Sequence, residues 1–125
     1  ERQVVCLLRD GDTKRLFECL KWYFGAEIKA LSRDRLKVVK GDIALEHLGM
    51  PERDYVLLTA RIGEIYHCAA DVRHYAAEEE AYIRTNTGGT ENMLKFARWA
   101  NAAFYHMSTC SVSGMHLKEK DKYNY

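Results

Sequence analysis

The sequence predicts an α/β protein whose parallel sheet is covered by helices on both faces, a three-layer α-β-α arrangement. Short apolar runs rich in β-branched residues alternate with longer segments whose apolar side chains recur at helical spacing. This alternation is typical of β-α-β units, whose right-handed crossovers build parallel sheets. The chain has 125 residues and a single proline, so we expect one domain, residues 1–125, with few interrupted elements.

The first β-α unit is predicted over residues 4–8 and 13–24. Residues 4–8 form a continuous apolar run, which indicates a strand buried on both faces of a parallel sheet. The helix that follows has Asp12 or Thr13 as its candidate N-cap and Gly25 at its end. Its apolar positions, expected to face inward, are Leu16, Phe17, Leu20 and Phe24.

Two further units and a fourth strand follow along the chain. We expect strands at residues 36–39, 64–68 and 104–107, and helices at residues 51–61 and 78–100. The side chains expected to face the core from these two helices are Tyr55, Leu58, Ile62, Ile83, Thr90, Met93, Leu94 and Ala97.

Composition and charge exclude several function classes. Apolar residues make up 47% of the chain and charged residues 30%, as in soluble globular domains. The formal net charge is +1, which gives no electrostatic case for nucleic acid or an anionic membrane as a partner. No apolar run is long enough to span a bilayer and no signal peptide is recognisable, so we expect a cytoplasmic protein. Residues 115–125 are polar and aperiodic, and are expected to be a loop or a frayed end.

The cysteines and histidines indicate neither a disulfide nor a metal site. The four cysteines are widely separated, with no CxxC pair and no histidine at zinc-site spacing. We expect them to be small buried thiols in a reducing compartment. The five histidines have no paired carboxylate or nucleophile at a motif spacing, and we interpret His67 and His106 as strand residues.

Ligands of an open parallel sheet bind beyond the carboxyl ends of its strands, where the connections separate. The residues that follow the four predicted strands are therefore the candidates for a functional site. They are Arg9, then Gly41-Asp42-Ile43, then Ala69-Ala70-Asp71-Val72, and finally Ser108-Thr109-Cys110-Ser111.

Five segments, in this order and at these separations, resemble those of the extended short-chain dehydrogenase/reductases: VCLLRD, VVKGDI, IYHCAADV, YIRTNTGGTENML and FYHMSTCSVSG. The stretch HCAADVRHY and the threonine of STCSVSG are most similar to the thioester reductase branch, found in nonribosomal peptide synthetases, carboxylic acid reductases and fatty acyl reductases. The resemblance implies a Rossmann-type domain that binds NADP(H). It also implies a parent enzyme that releases an acyl or peptidyl chain, held as a phosphopantetheine thioester on a carrier protein, as an aldehyde or alcohol.

Two segments of the resembling family have no counterpart in the sequence. These are the Gly-rich phosphate loop, GxxGxxG, and the catalytic Tyr-x-x-x-Lys pair. We therefore expect the chain to be a central piece, with the first strand and the substrate part outside it, and to be inactive alone. A nucleotide-sugar epimerase or dehydratase of the same superfamily, and a non-catalytic dinucleotide-binding module, remain alternatives.

Arg9 is the candidate for choosing between cofactors. An acid at this point of a dinucleotide fold binds the ribose 2′-hydroxyl of NAD, whereas a guanidinium can pair with the 2′-phosphate of NADP. Arg9 favours NADP(H), but the adjacent Asp10 could be the discriminating residue instead. Lys14 is a weaker second candidate for the phosphate.

The resemblance implies adenine-binding roles for Asp42 and for the main chain of Ile43, although Asp42 could instead cap a turn or a helix. Ala69 and Ala70 are small enough to let a pyrophosphate or ribose approach the backbone, or simply to pack tightly. We assign all four residues to the cofactor.

The last candidates lie in the long helix and after the fourth strand. Asparagine is a poor helix former, so Asn86 indicates an amide that satisfies a buried backbone or water partner. The resemblance implies a place near the active site, and we assign Asn86 to the cofactor. Gly89 indicates close packing against a neighbouring strand. The resemblance implies that the Thr109 hydroxyl orients the substrate carbonyl as the catalytic group. Ser108 is assigned to the cofactor, although it could cap a turn.

Overall fold

The computed structural model describes residues 3–25, 27–28, 35–72 and 79–108. The helices and strands follow one another as β1 (Val4–Leu8), α1 (Thr13–Phe24), β2 (Leu36–Lys40), a short helical turn (Glu46–Gly49), α2 (Glu52–Thr59), β3 (Glu64–His67), α3 (Glu79–Ile83), a π-helical turn (Arg84–Gly88), α4 (Gly89–Ala100) and β4 (Ala103–His106). The predicted alternation of strands and helices is confirmed.

The strands form two parallel pairs. In the first pair β1 lies beside β2, with Leu8 opposite Lys40 at the carboxyl end. In the second pair β3 lies beside β4, with His67 opposite His106 at the carboxyl end. Within the described residues the two pairs are not hydrogen-bonded to each other. The parallel direction is as predicted, but these residues do not form one continuous sheet.

One hydrophobic core lies between the strand pairs and the helices α2 and α4. Its buried members are Ile43, Leu48, Met50, Tyr55, Ile65, Met93, Phe96 and Ala97. Leu7 and Val39 from the first strand pair, and Phe104 from the second, are partly buried against it. The two pairs are therefore joined through side-chain packing, because burial of apolar surface is the main stabilising term available to them.

The helix predicted over residues 78–100 is interrupted. A π-helical turn, Arg84–Gly88, separates α3 from α4. A π turn shifts the side chains that follow it relative to those that precede it, so one stripe cannot run through both helices. The predictions of Ile83 and Leu94 as inward residues are accordingly wrong, since they are 50% and 44% exposed. Phe96, only 3% exposed, belongs to the core and was not predicted.

Helix α1 has the predicted ends but not the predicted burial. Asp12 Oδ1 accepts a hydrogen bond from the backbone N–H of Arg15 at 3.2 Å, and Gly25 ends the helix with a positive φ of 76°. No residue of α1 is fully buried, and Phe24, expected inward, is exposed. Within the described residues, only one side of β1 and α1 is covered by other parts of the chain. Both elements are therefore less buried than the sequence predicts.

The cysteines are less buried than expected. Cys19 and Cys68 are exposed and Cys6 is half-buried, and all three are free thiols. Burial raises the pKa of the Cys6 thiol. Cys110 lies outside the described residues. The described part of the chain holds no helix that could cross a bilayer and no cluster of side chains suited to a metal ion.

Candidate functional site

The turn between β1 and α1 carries Arg9. Asp10 Oδ1 accepts a hydrogen bond from the N–H of Asp12 at 2.9 Å, so the Asp10 carboxylate is turned toward its own backbone. Gly11 has a φ of 70°, in the left-handed region that favours glycine. These contacts fix the turn and leave the exposed Arg9 side chain without an ion pair among the described residues.

The loop after β2 is tightly built around Gly41 and Asp42. A β-carbon on Gly41 would lie 2.6 Å from the carbonyl oxygen of Leu48, so only glycine fits. The Asp42 N–H donates to this same carbonyl at 2.8 Å, and Asp42 Oδ1 accepts from the N–H of Ala44 at 2.9 Å. Asp42 therefore caps the turn through Oδ1, as the alternative interpretation predicted. Its second oxygen, Oδ2, has no hydrogen-bond partner in the described part of the chain.

A left-handed turn supports this loop from behind. His47 and Leu48 have φ of 49° and 57°, and Gly49 has φ of 68°. A left-handed conformation costs a non-glycine residue roughly 1–2 kcal/mol. Two contacts of Leu48 offset this cost: its side chain is buried in the core, with 2% of its surface exposed, and its carbonyl accepts a hydrogen bond from the Asp42 N–H. The strained turn therefore anchors Asp42 to the core.

Ile43 is held by α4 on two sides. Its side chain packs on Gly89, where a β-carbon would lie 2.7 Å from Ile43 Cδ1. Its carbonyl accepts from Asn92 Nδ2 at 2.8 Å, and the same amide donates to the Leu45 carbonyl at 3.2 Å. Gly89 is thus required for close packing, as predicted, but against this loop and not against a strand. The Ile43 N–H makes no hydrogen bond to any described residue.

A cavity of about 790 Å³ opens beside these two strand ends. It is lined by Arg9, Val39, Lys40, Gly41, Asp42, Leu45, Gly49, Met50, Pro51, Asp54, Leu57, Leu58 and Arg61. The volume is within the range of sites for cofactors and drug-sized ligands, and the lining combines apolar walls with charged groups of both signs. The structure therefore brings Arg9 and Asp42 to one cavity.

The loop after β3 is fastened by Asn86. Asn86 Oδ1 accepts from the N–H of Asp71 at 2.7 Å, and Asn86 Nδ2 donates to the carbonyl of Asp71 at 2.9 Å. The prediction that this amide satisfies a backbone partner is confirmed. Because Asn86 lies in the π-helical turn, its main chain is already irregular at this point. Ala69 and Ala70, in the loop that Asn86 fastens, are exposed.

His67, at the end of β3, joins the same network. The Thr90 hydroxyl donates to the carbonyl of Asn86 at 2.6 Å, so its oxygen accepts from His67 Nε2–H, 3.1 Å away. This fixes the neutral imidazole with its proton on Nε2. Burial, and in second place the neighbouring His106, lower the pKa of His67. The ring of His106 stacks on that of His67, with centroids 5.2 Å apart.

The remaining site residues lie beyond β4. Ser108 is exposed, and Thr109 lies outside the described residues. Ile43 does not line the cavity beside Arg9 and Asp42, and neither do Ala69, Ala70, Asn86 and Ser108. Ala69, Ala70 and Ser108 follow the strands of the second pair, and Asn86 binds the loop after β3 from the π-helical turn. The predicted residues thus fall into two groups, one at the end of each pair.

Asn92 supports the candidate site and was not predicted from the sequence. It stands in the interior of α4, where asparagine is a poor helix former, and it binds the loop that carries Asp42 and Ile43. An asparagine in the interior of a helix is the same signal that pointed to Asn86.

Parallel strands, polar groups at their carboxyl ends and helices that fasten the strand-end loops are features of α/β domains of the Rossmann type. The chain belongs to the NAD-binding family described as male sterility protein, whose model matches residues 1–124.

Two curated relatives are similar in sequence. The nonribosomal peptide synthetase asaC of Aspergillus flavus is 30% identical over 97% of the chain, which spans 12% of that protein. The fatty acyl-CoA reductase 1 of Arabidopsis thaliana is 29% identical over 79% of the chain, which spans 21% of that protein.

Two solved structures share the fold. The terminal R domain from the myxalamid PKS-NRPS biosynthetic pathway superposes with a TM-score of 0.71 at 27% identity, over 88% of this chain and 28% of that one. The reductase domain of a nonribosomal peptide synthetase from Mycobacterium tuberculosis gives a TM-score of 0.71 at 26% identity, over 93% of this chain and 28% of that one.

Proposed function

We propose that the chain is the central part of an NADPH-dependent reductase domain that releases an acyl or peptidyl thioester as an aldehyde or alcohol. The observation that carries this proposal is the match of 88–93% of the chain to reductase domains of peptide and polyketide synthetases. The partner that this function requires is an acyl or peptidyl carrier protein bearing the chain on phosphopantetheine.

The complete domain would be a three-layer α-β-α sandwich. In the common Rossmann strand order, 3-2-1-4-5-6, the first strand lies between the second and the fourth. The two parallel pairs of this chain correspond to strands on either side of that position. The stacked rings of Tyr66 and Tyr105, with Tyr66 68% exposed, support a second helical layer over this face, because parallel sheets are normally covered on both sides.

The residues beside the cavity fit the adenosine end of NADP(H). Arg9 has no ion pair in the described part of the chain, whereas the Asp10 carboxylate is engaged with the N–H of Asp12. This favours an ion pair between Arg9 and the 2′-phosphate of NADP(H) over a hydrogen bond between Asp10 and the 2′-hydroxyl of NAD(H). Asp42 lines the cavity, and its Oδ2 would be the acceptor for the adenine edge, while the N–H of the next residue, Ile43, would be the donor. Neither group has a hydrogen-bond partner within the described residues.

The second group of residues would serve the rest of the cofactor and the substrate. Ala69 and Ala70 leave room beside the backbone, and Asn86 and Ser108 flank the same strand ends. When bound, NADPH supplies the hydride. We assign to Thr109 a hydrogen bond to the substrate carbonyl, which orients it and stabilises the oxyanion that develops there.

The test uses the intact reductase that contains this chain. We expect it to consume NADPH with a phosphopantetheine thioester, and Thr109→Val to lower kcat about 100-fold, as loss of an oxyanion donor does. Thr109→Ser should keep most of the activity, and Thr87→Val, at an exposed threonine of the π-helical turn, is the matched control. A folded enzyme that leaves NADPH untouched but converts a nucleotide sugar, or that binds dinucleotide without turnover, would contradict the proposal.

A further inference from the structure

Lys40 is a second cation beside Arg9. It ends β2 and is paired in register with Leu8, the residue that precedes Arg9. Both side chains belong to residues that line the same cavity. The parallel pairing therefore sets two positive charges at adjacent strand ends.

The Lys40 side chain lies across the turn that carries Arg9. A β-carbon on Gly11 would be 3.7 Å from Lys40 Cβ and Cγ and 3.8 Å from Cδ, which is ordinary van der Waals contact. Gly11 belongs to the β1–α1 turn and takes the left-handed conformation there. The aliphatic stem is thus supported along its length by this turn, while the ammonium group at its end stays available, as is usual for lysine.

The two carboxylates of the β1–α1 turn accept hydrogen bonds from its own backbone. Asp10 Oδ1 accepts from the Asp12 N–H, and Asp12 Oδ1 accepts from the Arg15 N–H. Lys40 and Arg9 form no ion pair with any described residue. Cations at adjacent strand ends of one cavity repel one another, and an anion bound in that cavity would relieve the repulsion.

We propose that Lys40 binds the 2′-phosphate of the adenosine ribose together with Arg9, and so determines the preference for NADP(H) over NAD(H). This inference rests on the proposed function. A phosphate monoester carries a charge of about −1.5 to −2 at neutral pH, which one guanidinium does not neutralise. Arg61 also lines the cavity, but it follows α2. Lys40 is the better candidate because its side chain packs against the turn that carries Arg9.

The experiment measures binding to the intact protein by calorimetry, with two nucleotides that differ only in the 2′-phosphate. These are adenosine 2′,5′-bisphosphate and adenosine 5′-monophosphate. We expect Lys40→Met to weaken binding of the bisphosphate about tenfold, about 1.4 kcal/mol, and to leave the monophosphate unchanged. Lys40→Arg should retain the preference. Lys37→Met, at an exposed lysine of the same strand, is the control.

Three results would overturn the role of Lys40: no change in Lys40→Met, equal weakening of both nucleotides, or the selective loss appearing in Arg61→Met alone. The proposed function fails in a different way. If the wild-type protein does not prefer the bisphosphate, NADP(H) is not its cofactor, and the Lys40 assignment falls with it. If the wild-type protein has the preference and Lys40→Met keeps it, only the assignment of Lys40 is wrong.

Discussion

Asn86 and Asn92 extend from one helical stretch and fasten two different strand-end loops. Asn86 makes two hydrogen bonds to the backbone of Asp71, after β3, and Asn92 donates to the carbonyl of Ile43, after β2. The helical stretch whose α4 packs against β3 and β4 therefore also sets the positions of both loops. Each loop carries residues that we assign to the cofactor.

Asn92→Ala should loosen the loop after β2. The substitution leaves the Ile43 carbonyl without its donor, and a part-buried group that loses its partner costs about 1–3 kcal/mol. We expect a lower free energy of unfolding in urea and weaker binding of adenosine nucleotides. Glu91→Ala, at the exposed neighbouring position, should change neither property. Equal effects of the two substitutions would show that the amide of Asn92 is not what holds the loop.

The adjacent glycines Gly88 and Gly89 should respond oppositely to alanine. A β-carbon on Gly89 would lie 2.7 Å from Ile43 Cδ1, whereas one on Gly88 would meet nothing within 4 Å. We expect Gly89→Ala to lower the free energy of unfolding by about 1–2 kcal/mol through overpacking. Gly88→Ala should be neutral or stabilising, because alanine is the better helix former.

The close contact between Gly89 and Ile43 allows a rescue experiment. Ile43→Val removes Cδ1, the atom in closest approach, so it should recover part of the stability lost in Gly89→Ala. A double-mutant cycle measured by thermal or urea unfolding gives the coupling. Strict additivity of the two substitutions would mean that the contact between Gly89 and Ile43 is not the cause.

His67 should make the stability of the protein depend on pH. Its folded-state pKa is lowered, by burial first and by His106 second, so the unfolded state takes up a proton at higher pH than the folded state does. The free energy of unfolding should therefore fall as the pH drops below about 6.5, the ordinary value for histidine. Chemical unfolding between pH 7.5 and 5.5 measures the slope.

His67→Gln is the matched variant for this pH dependence. Glutamine retains a donor for Thr90 Oγ1 but does not titrate. The variant should have a shallower slope over the same pH range, while His106→Gln, at the exposed partner, should reduce it less. An unchanged slope in His67→Gln would assign the effect to another group.

Asp10→Asn tests which residue at the β1–α1 turn chooses the cofactor. Asparagine keeps an oxygen that can accept from the Asp12 N–H, so the turn should survive. We expect the ratio of affinities for adenosine 2′,5′-bisphosphate and adenosine 5′-monophosphate to change less than twofold. A large shift in this ratio would make Asp10 the discriminating residue in place of Arg9.

Local signals in the sequence were sufficient for the strands and for the ends of α1. The apolar run Val4–Leu8 is the observed β1, and Asp12 and Gly25 are the observed caps. These features depend on neighbours along the chain, which a sequence pattern records directly.

Features that depend on distant contacts were not predictable. The prediction assumed an unbroken 3.6-residue period and so placed Ile83 on the inward face. Nothing in the composition of Arg84–Gly88 indicates a π turn. The left-handed conformation of Leu48 is stabilised by burial and by the Asp42 N–H, neither of which a local pattern contains. For the candidate site, the strand-end rule predicted Arg9 and Asp42, which line one cavity. It did not point to Lys40, because the approach of the Lys40 side chain to Gly11 depends on the pairing of β1 with β2.

The π-helical turn makes the stretch before β4 sensitive to the number of its residues as well as to their identity. Removing one residue from Arg84–Gly88 would allow a regular α-helix to form through the segment. A π turn holds about one residue more than an α-helical stretch of the same rotation, so α3 and α4 would keep nearly the same relative orientation and the change would fall on the turn itself. Asn86, which lies in this turn, would then lose its place opposite Asp71, while Asn92 in α4 would keep its own. Aligned relatives should therefore tolerate substitutions in this segment more readily than deletions.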